Sequence, residues 1–239
     1  MTRPGFFSRY LTLGWFLLTL LAGCSADDKP GTTKGDVLLR IVAGSESKHI
    51  ERIIKECARQ NDLDVEMHYS GSVDMMLSLK RPDFAFDAVL PASSIWLRLG
   101  DQEYHRVKEE ASIMRSPVGL GVKKSIAASL GWIGADVTVS DILAAVQSNR
   151  IRFAMTSATQ SNSGFSSYIG MLMALADKPE VLTESILNRP ELRENIRDLL
   201  RGVNRGSGSS GWLMQTFVRD YDRLDAMFNY ESMIIAANQ

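Results

Sequence analysis

The sequence contains few of the residues on which metal sites and most acid–base enzymes depend. It has three histidines and two cysteines in 239 residues, and no two histidines have the spacing of a metal-binding pair. Two cysteines are too few for a disulfide-rich scaffold. The net charge of −1 provides no excess of lysine and arginine for binding nucleic acid. These absences predict a protein that is not an enzyme and that binds no metal, cofactor or nucleic acid.

The chain also lacks an apolar run of the roughly 20 residues that a membrane-spanning helix needs. Its N-terminal apolar stretch, residues 10–22, follows Arg3 and Arg9 and is too short to cross a bilayer. A short apolar stretch after basic residues is typical of a signal peptide. Residues 1–23 are therefore predicted to be a signal peptide.

Residues 21–24, Leu-Ala-Gly-Cys, resemble the lipobox of bacterial lipoproteins. The resemblance implies cleavage before Cys24 and acylation of that cysteine, for example with palmitate, which anchors the protein to a membrane. Ser25 resembles the outer-membrane sorting pattern, so we expect a lipid anchor in the outer membrane and a domain that faces the periplasm or the exterior. Residues 24–36 are polar and contain glycine and proline, as expected of a tether. The alternative to a lipoprotein is an ordinary secreted protein without a lipid anchor.

From residue 37 onward, short apolar segments alternate with segments whose apolar residues have the spacing of a helix. Strands are predicted over residues 37–43, 65–69 and 88–90, and a helical pattern follows each of them. This alternation predicts an α/β fold in which helices cover a parallel sheet. In the first helix, an apolar stripe predicts that Cys57 is a buried core thiol and that Ser47 is the N-cap.

A change of composition near residue 116 predicts a second α/β lobe. We expect residues 37–115 to form the first lobe and residues 116–239 the second, with residues 116–123 as the hinge because they contain a proline and two glycines. In the second lobe, short strands are expected near residues 152–155 and 227–230. The expected helices include residues 139–146, 165–176, 192–200 and 212–221.

Serine and threonine are concentrated at the predicted strand-to-helix junctions. Residues 156–163 contain five Ser or Thr, one Asn and one Gln. Unpaired N–H groups at a helix start, together with neutral hydroxyl donors, can bind a small anion. For a single serine, helix capping is the competing interpretation, and Ser163 is the expected cap of the helix near Phe165. Residues 205–211 are a second glycine- and serine-rich turn, which could be either a flexible loop or a binding loop.

The order of five short motifs resembles the type II periplasmic solute-binding proteins, and within them the molybdate- and sulfate-binding branch. The motifs are residues 43–45 (AGS), 69–72 (YSGS), 86–94 (FDAVLPASS), 159–164 (TQSNSG) and 229–232 (NYES). The resemblance implies a two-lobed periplasmic-binding-protein-like fold that grips a ligand between its lobes. It implies ligand-binding roles for Ser45, Ser70, Ser72, Thr159, Ser161, Ser163 and Tyr230.

The resemblance implies a lipid-anchored protein that captures a small ligand, such as an oxyanion, for an ABC-type importer and performs no chemistry. Its expected partners are the ligand, an ABC permease and the membrane that holds the anchor. In proteins of this branch, the chain usually returns to the first lobe after the segment that corresponds to the residues around Tyr230. In this protein that return segment is expected to be absent. The alternative function is therefore an envelope interaction or sensor module that keeps the fold without transport, as in relatives fused to von Willebrand A modules.

Overall fold

Alternating strands and helices form two α/β lobes in the computed structural model, which describes residues 37–239. The predicted signal peptide, Cys24 and the tether lie outside the described residues. In the described part of the chain, no helix is both long enough and apolar enough to cross a membrane.

The first lobe contains a three-stranded parallel sheet with strand order β2-β1-β3. The strands are β1 (Val37–Ala43), β2 (Leu63–Tyr69) and β3 (Ala88–Leu90). The helices are α1 (Glu51–Gln60), α2 (Ser72–Leu79) and α3 (Ile95–Gly100). The parallel sheet predicted from the β-α alternation is confirmed.

The second lobe contains a four-stranded sheet with strand order β4-β7-β5-β6, in which only β4 is antiparallel to its neighbour. The strands are β4 (Val118–Val122), β5 (Phe153–Thr156), β6 (Val203–Ser207) and β7 (Ala226–Tyr230). The helices are α4 (Lys124–Leu130), α5 (Val139–Gln147), α6 (Asn162–Leu175), α7 (Glu184–Leu187), α8 (Pro190–Leu200), α9 (Ser210–Arg219) and α10 (Glu231–Ala236). Three of the seven residues of the glycine- and serine-rich turn thus belong to strand β6, which the sequence did not indicate.

The core of the second lobe fixes the ends of its central strands. β5 and β7 are buried along their whole length, as expected of strands covered on both faces. The Phe153 ring packs edge-on against Phe228 with 5.0 Å between their centroids. Because the two strands are parallel, Thr156 and Tyr230 at their carboxyl ends lie at the same edge of the sheet.

An irregular connection, which we call the crossing segment, joins the last helix of the first sheet to the first strand of the second. The irregular connection covers residues 101–117, whereas most of the expected hinge, residues 116–123, is strand β4. β4 pairs with β7 from Val118 to Val122. Its glycines therefore belong to a paired edge strand of the second lobe.

Two predicted helix caps are wrong. Ser47 lies inside a 3-10 helix, Ser45–Ile50, and the N-cap position of α1 is Ile50. Ser161 has the N-cap position of α6, while Ser163, which was expected to be the cap, lies in its first turn. Ser163 therefore contributes through its own buried hydrogen bonds, which are described below, and not through capping.

The prediction that Cys57 is a core thiol is also wrong, because its side chain is exposed. The apolar stripe began at Ile50, which belongs to the 3-10 helix and not to α1. The rest of the stripe, Ile53, Ile54, Cys57 and Ala58, lies within α1 and keeps the helical spacing, so the helix buries a narrower face than the apolar stripe predicted. Of these four residues only Ala58 is buried, whereas Ile53 is 61% exposed.

We expect a maleimide to label Cys57 in the folded protein without denaturant, because an exposed thiol is accessible to the reagent. Intact mass and peptide mapping after a short reaction would measure the labelling, and Cys57→Ser is the control that removes the labelled peptide. Labelling of this peptide only after unfolding would contradict the exposed position.

Candidate functional site

Hydroxyl groups from both lobes meet where the lobes are in contact. Ser45, which directly follows β1 and Gly44, hydrogen-bonds through Oγ to the Oγ of Ser209 in the second lobe. The same Oγ accepts a hydrogen bond from the backbone N–H of Gly211 at 2.8 Å. We use the term hydroxyl cluster for Ser45 and Ser209 together with Ser210, the next residue in the chain, and the three residues that hydrogen-bond around it, namely Thr156, Ser161 and Ser163.

The second lobe contributes most of the hydroxyl cluster. Ser163 Oγ lies 2.7 Å from Ser210 Oγ and 2.8 Å from Thr156 Oγ1. Ser161 Oγ lies 3.3 Å from both Ser163 Oγ and Ser210 Oγ. Each cluster residue is at most 3% exposed, so its hydroxyl is screened from bulk solvent. The end of β5 and the starts of α6 and α9 bring these residues together.

The hydroxyl cluster is uncharged, and its surroundings favour an anion. α6 and α9 both begin at the cluster, so the N–H groups of their first turns and the positive ends of their dipoles lie there. Hydroxyls can turn their protons toward a ligand oxygen. Such an arrangement can bind a small anion without a fixed positive charge.

Two glycines allow the backbones around the cluster to approach closely. A Cβ on Gly164 would lie 2.3 Å from the carbonyl oxygen of Thr156, and a Cβ on Gly211 would lie 2.6 Å from that of Ser45. A larger residue at either position would push apart the segments that carry the hydroxyls. Gly211 in particular lets α9 of the second lobe touch the first lobe.

The backbones of the two lobes also contact each other directly. The N–H of Val73 in α2 donates to the carbonyl oxygen of Gln160 at 3.2 Å. A Cβ on Gly71 would lie 2.2 Å from that same carbonyl oxygen. The lobes are therefore held at a distance that leaves no room for a methyl group at residue 71.

Aromatic side chains add further contacts between the lobes. Trp96 in α3 donates from Nε1 to Oδ1 of Asn162 at 2.8 Å, and its ring packs edge-on against Phe165. Lys48 Nζ lies 5.4 Å from the centroid of the Trp212 ring and 5.1 Å from that of Tyr69. A change in the distance between the lobes would thus alter the surroundings of two tryptophans.

A cavity of about 420 Å³ lies beside the hydroxyl cluster, between the lobes and the crossing segment. Tyr230 lines it and is buried, and its hydroxyl accepts a hydrogen bond from Asn162 Nδ2 at 2.9 Å. Burial raises the pKa of Tyr230, and the negative charge of Glu46 raises it further. Asn229, which is fully buried, fixes this corner because its side chain binds the backbones of Ser210 and Tyr230.

Glu46 is a charged residue that directly follows Ser45 of the hydroxyl cluster, and its side chain lines the cavity. Burial raises the pKa of its carboxyl above the usual range, and the N–H of its own backbone partly offsets this. Within residues 37–239 no lysine or arginine forms an ion pair with it. In the same part of the chain no group of His, Cys, Asp and Glu side chains is placed to hold a metal ion.

The structure brings together three of the seven residues that the resemblance implied. Ser45, Ser161 and Ser163 belong to the hydroxyl cluster, and Tyr230 lies beside it on the cavity wall. The other three lie elsewhere. Ser72 accepts a hydrogen bond from the Ala92 backbone, Ser70 is half-buried after β2, and Thr159 is exposed and bonds to Ser157.

Sequence reasoning missed several residues of this region. Ser209 and Ser210 stand in a turn whose composition suited a flexible loop equally well, and their complete burial was not evident. Asn162 lay within a quoted motif, but its bonds to Trp96 and Tyr230 depend on three separate segments. Glu46 lies between two serines in the sequence, and no pattern distinguished it from a solvated acid.

Comparisons with known proteins agree with this two-lobed architecture. Among solved structures, the chain is similar to the sulfate-binding protein SubI from Mycobacterium tuberculosis H37Rv, with 17% identity and a TM-score of 0.58 over 84% of this chain and 67% of that one. It is similar to the periplasmic binding protein P5PA, with 13% identity and a TM-score of 0.55 over 82% of this chain and 64% of that one. An ABC transporter structure from Rhodopseudomonas palustris CGA009 gives 11% identity and a TM-score of 0.50 over 81% of this chain and 62% of that one.

At these identities the similarity establishes the fold, which is the two-lobed fold of periplasmic binding proteins. The chain spans about two thirds of the length of these structures. No curated protein matches the sequence. The sequence profile of a protein family, however, matches residues 39–238, which is most of the chain. The chain therefore belongs to the bacterial extracellular solute-binding proteins, and its role is to capture a ligand.

Proposed function

We propose that this protein is a lipid-anchored solute-binding protein that captures a small oxyanion between its lobes and delivers it to an ABC-type importer. The observation that carries the proposal is the hydroxyl cluster, to which both lobes contribute buried serines. Membership of the solute-binding family supports capture of a ligand. The absence of charged residues from the cluster, together with two helix N-termini, supports an oxyanion as the ligand.

Capture exchanges one set of hydrogen bonds for another. In this structure the cluster hydroxyls bond to one another, for example Ser163 to Ser210 at 2.7 Å. A bound oxyanion would accept hydrogen bonds from the same hydroxyls, and bonds to a charged acceptor are stronger than bonds between neutral groups. A ligand that touches serines of both lobes stabilises the closed arrangement, because it has more partners there than in an open one.

Release to a permease is consistent with neutral donors. When the ligand leaves, no cationic side chain is left buried without a partner, which would be costly. The serines can again bond to one another as they do here. The lipid on Cys24 and the tether over residues 24–36 would keep the lobes close to the membrane that contains the permease. Uptake of the ligand by cells with and without the protein distinguishes this role from that of a sensor.

Ser161→Ala is expected to weaken ligand binding, since a buried ligand oxygen would lose its hydroxyl donor. The loss of about 1–3 kcal/mol per donor corresponds to roughly a 5- to 150-fold higher Kd. Ser45→Ala should have a similar effect from the other lobe. Calorimetric titration with a panel of sulfate, molybdate, phosphate, sulfonates and phosphonates would measure it for the anion that binds the unmodified protein most tightly.

The control for this prediction is Ser125→Ala, which makes the same chemical change at an exposed serine of α4. It should leave the Kd unchanged. If Ser45→Ala and Ser161→Ala both bind the anion as the parent does, the hydroxyl cluster is not the ligand site.

A further inference from the structure

The cavity beside the hydroxyl cluster is large for an inorganic oxyanion. Its volume is about 420 Å³, which lies within the range of roughly 300–1,000 Å³ typical of pockets for organic molecules. Part of the wall is apolar and consists of Val89, Leu90, Pro91, Leu97, Ile113 and Met114. The cavity therefore has room and apolar surface for an organic body.

The charged side chains around this cavity are mainly acidic. Glu46, Glu109 and Glu110 line it, and Arg115 is the one basic residue that lines it among residues 37–239. Glu109, Glu110 and Arg115 are exposed and thus well hydrated, whereas Glu46 is only partly exposed. The charge that a ligand would meet inside the cavity is therefore that of Glu46.

The Glu46 side chain lines the cavity, and Tyr230 on the same wall connects it to the hydroxyl cluster through a hydrogen bond with Ser210. The side chain of Glu46 folds back over Gly44, whose missing Cβ leaves the space that Oε1 occupies. On the cavity side, the negative charge of Glu46 raises the pKa of Tyr230, whose hydroxyl accepts a hydrogen bond from Asn162. Ser45, a cluster member, is its neighbour in the chain.

This carboxylate has no side-chain donor of its own within the described residues. An ionised carboxylate can only accept hydrogen bonds, and its burial is costly because the N–H of its own backbone replaces the lost water only in part. The raised pKa of Glu46 reflects that cost. A ligand that presents a protonated amine would supply both the donors and the opposite charge.

We infer that the site takes a small organic zwitterion, whose anionic oxygens bind the hydroxyl cluster and whose protonated amine binds Glu46. The inference rests on the proposed function and specifies its ligand class. Glu46 is then the specificity-determining residue. It attracts the amine, and it repels fully ionised inorganic oxyanions such as sulfate and molybdate, because two like charges in a poorly solvated cleft destabilise each other.

Two pairs of probes test this inference, because the members of each pair differ only in the amine. The pairs are 2-aminoethanesulfonate with ethanesulfonate, and 2-aminoethylphosphonate with ethylphosphonate. In calorimetric titrations at neutral pH, the unmodified protein should bind the amine-bearing member of at least one pair about tenfold or more tightly than its partner. It should bind sulfate more weakly than that probe.

Glu46→Gln keeps the shape of the side chain and removes its charge, so this preference should disappear and binding of the probe without the amine should be equal or tighter. Gly44→Ala keeps the carboxylate but displaces it, because the new Cβ would lie 2.1 Å from Oε1. It should reduce the same preference. Glu103→Gln, at an exposed acid that does not line the cavity, should keep the preference in full.

The outcomes separate the inference from the proposed function. If the probes without an amine, or sulfate, bind as tightly as the amine-bearing probes and Glu46→Gln changes nothing, the zwitterion inference is overturned and oxyanion capture stands. If none of the probes or inorganic oxyanions binds the unmodified protein, both are overturned. If the preference survives in Glu46→Gln, another group recognises the amine and the role of Glu46 is overturned.

Discussion

Gly71→Ala is expected to hold the two lobes apart and to weaken ligand binding. A Cβ at this position would lie 2.2 Å from the backbone oxygen of Gln160 and 3.0 Å from that of Gly208, both in the other lobe. Backbone atoms cannot rotate away as a side-chain end can, so the lobes themselves must separate. Overpacking of this kind costs about 1–3 kcal/mol, which corresponds to roughly a 5- to 150-fold higher Kd.

Gly71→Ala should not strain its own backbone, because Gly71 has φ −71° and ψ 151°, which alanine adopts readily. X-ray scattering should therefore show a larger radius of gyration with the lobes still folded, and calorimetry with the tightest anion of the panel should show the weaker binding. Trp96 and Trp212 fluorescence should change as well, since both rings contact the opposite lobe.

The matched control is Gly170→Ala in α6, where a new Cβ would meet nothing within 4 Å. Its scattering curve and Kd should equal those of the parent, with a small gain in helix stability. If Gly71→Ala gives the same scattering and the same affinity as Gly170→Ala, the contact of the lobes at residue 71 plays no part in ligand capture.

Cys24→Ala is expected to abolish lipid attachment completely. The lipobox resemblance requires a thiol at this position, because the sulfur forms the bond to the diacylglycerol. Without it the lipoprotein-specific peptidase should not cleave the precursor, and the several acyl chains that anchor such proteins stably would be missing. Metabolic labelling with a clickable fatty acid, followed by gel analysis, would measure the loss.

Cys57→Ser is the control for lipid attachment, because it removes the other cysteine of the chain and leaves the lipobox intact. It should label as strongly as the parent and migrate as the processed form. Equal fatty-acid labelling of Cys24→Ala and the parent would show that residues 21–24 are not a lipobox.

The elements of the fold were predictable where the local pattern was strong. β1, β3 and β7 follow apolar runs of the right length, and the order of strands and helices in the first lobe predicted its parallel sheet. Prediction failed where one element passes into another. Ile50 at the start of the apolar stripe belongs to the 3-10 helix and α1 buries only Ala58 of the stripe, so Cys57 is exposed. β6 has too little apolar character to be recognised as a strand.

For the site, the sequence indicated which residue types matter and near which strand ends they lie. The ligand-binding roles of Ser45, Ser161 and Ser163 were implied by the resemblance to solute-binding proteins, and the concentration of hydroxyls at strand ends agreed with it. Ser209 and Ser210 could not be chosen in the same way. A glycine- and serine-rich turn looks alike whether it is exposed or buried, and only the packing of α9 against Ser45 buries it.

The sequence by itself determined the α/β class, the alternation of strands and helices and the placement of hydroxyls at strand ends, since these depend on neighbours along the chain. Only the tertiary structure decided which hydroxyls meet, because Ser45 and Ser209 are 164 residues apart and touch through the contact of two lobes. It also decided that Glu46 lines a cavity without a basic partner in the described chain. Burial and pairing are properties of the packed molecule, and the free energy of a charge depends on both.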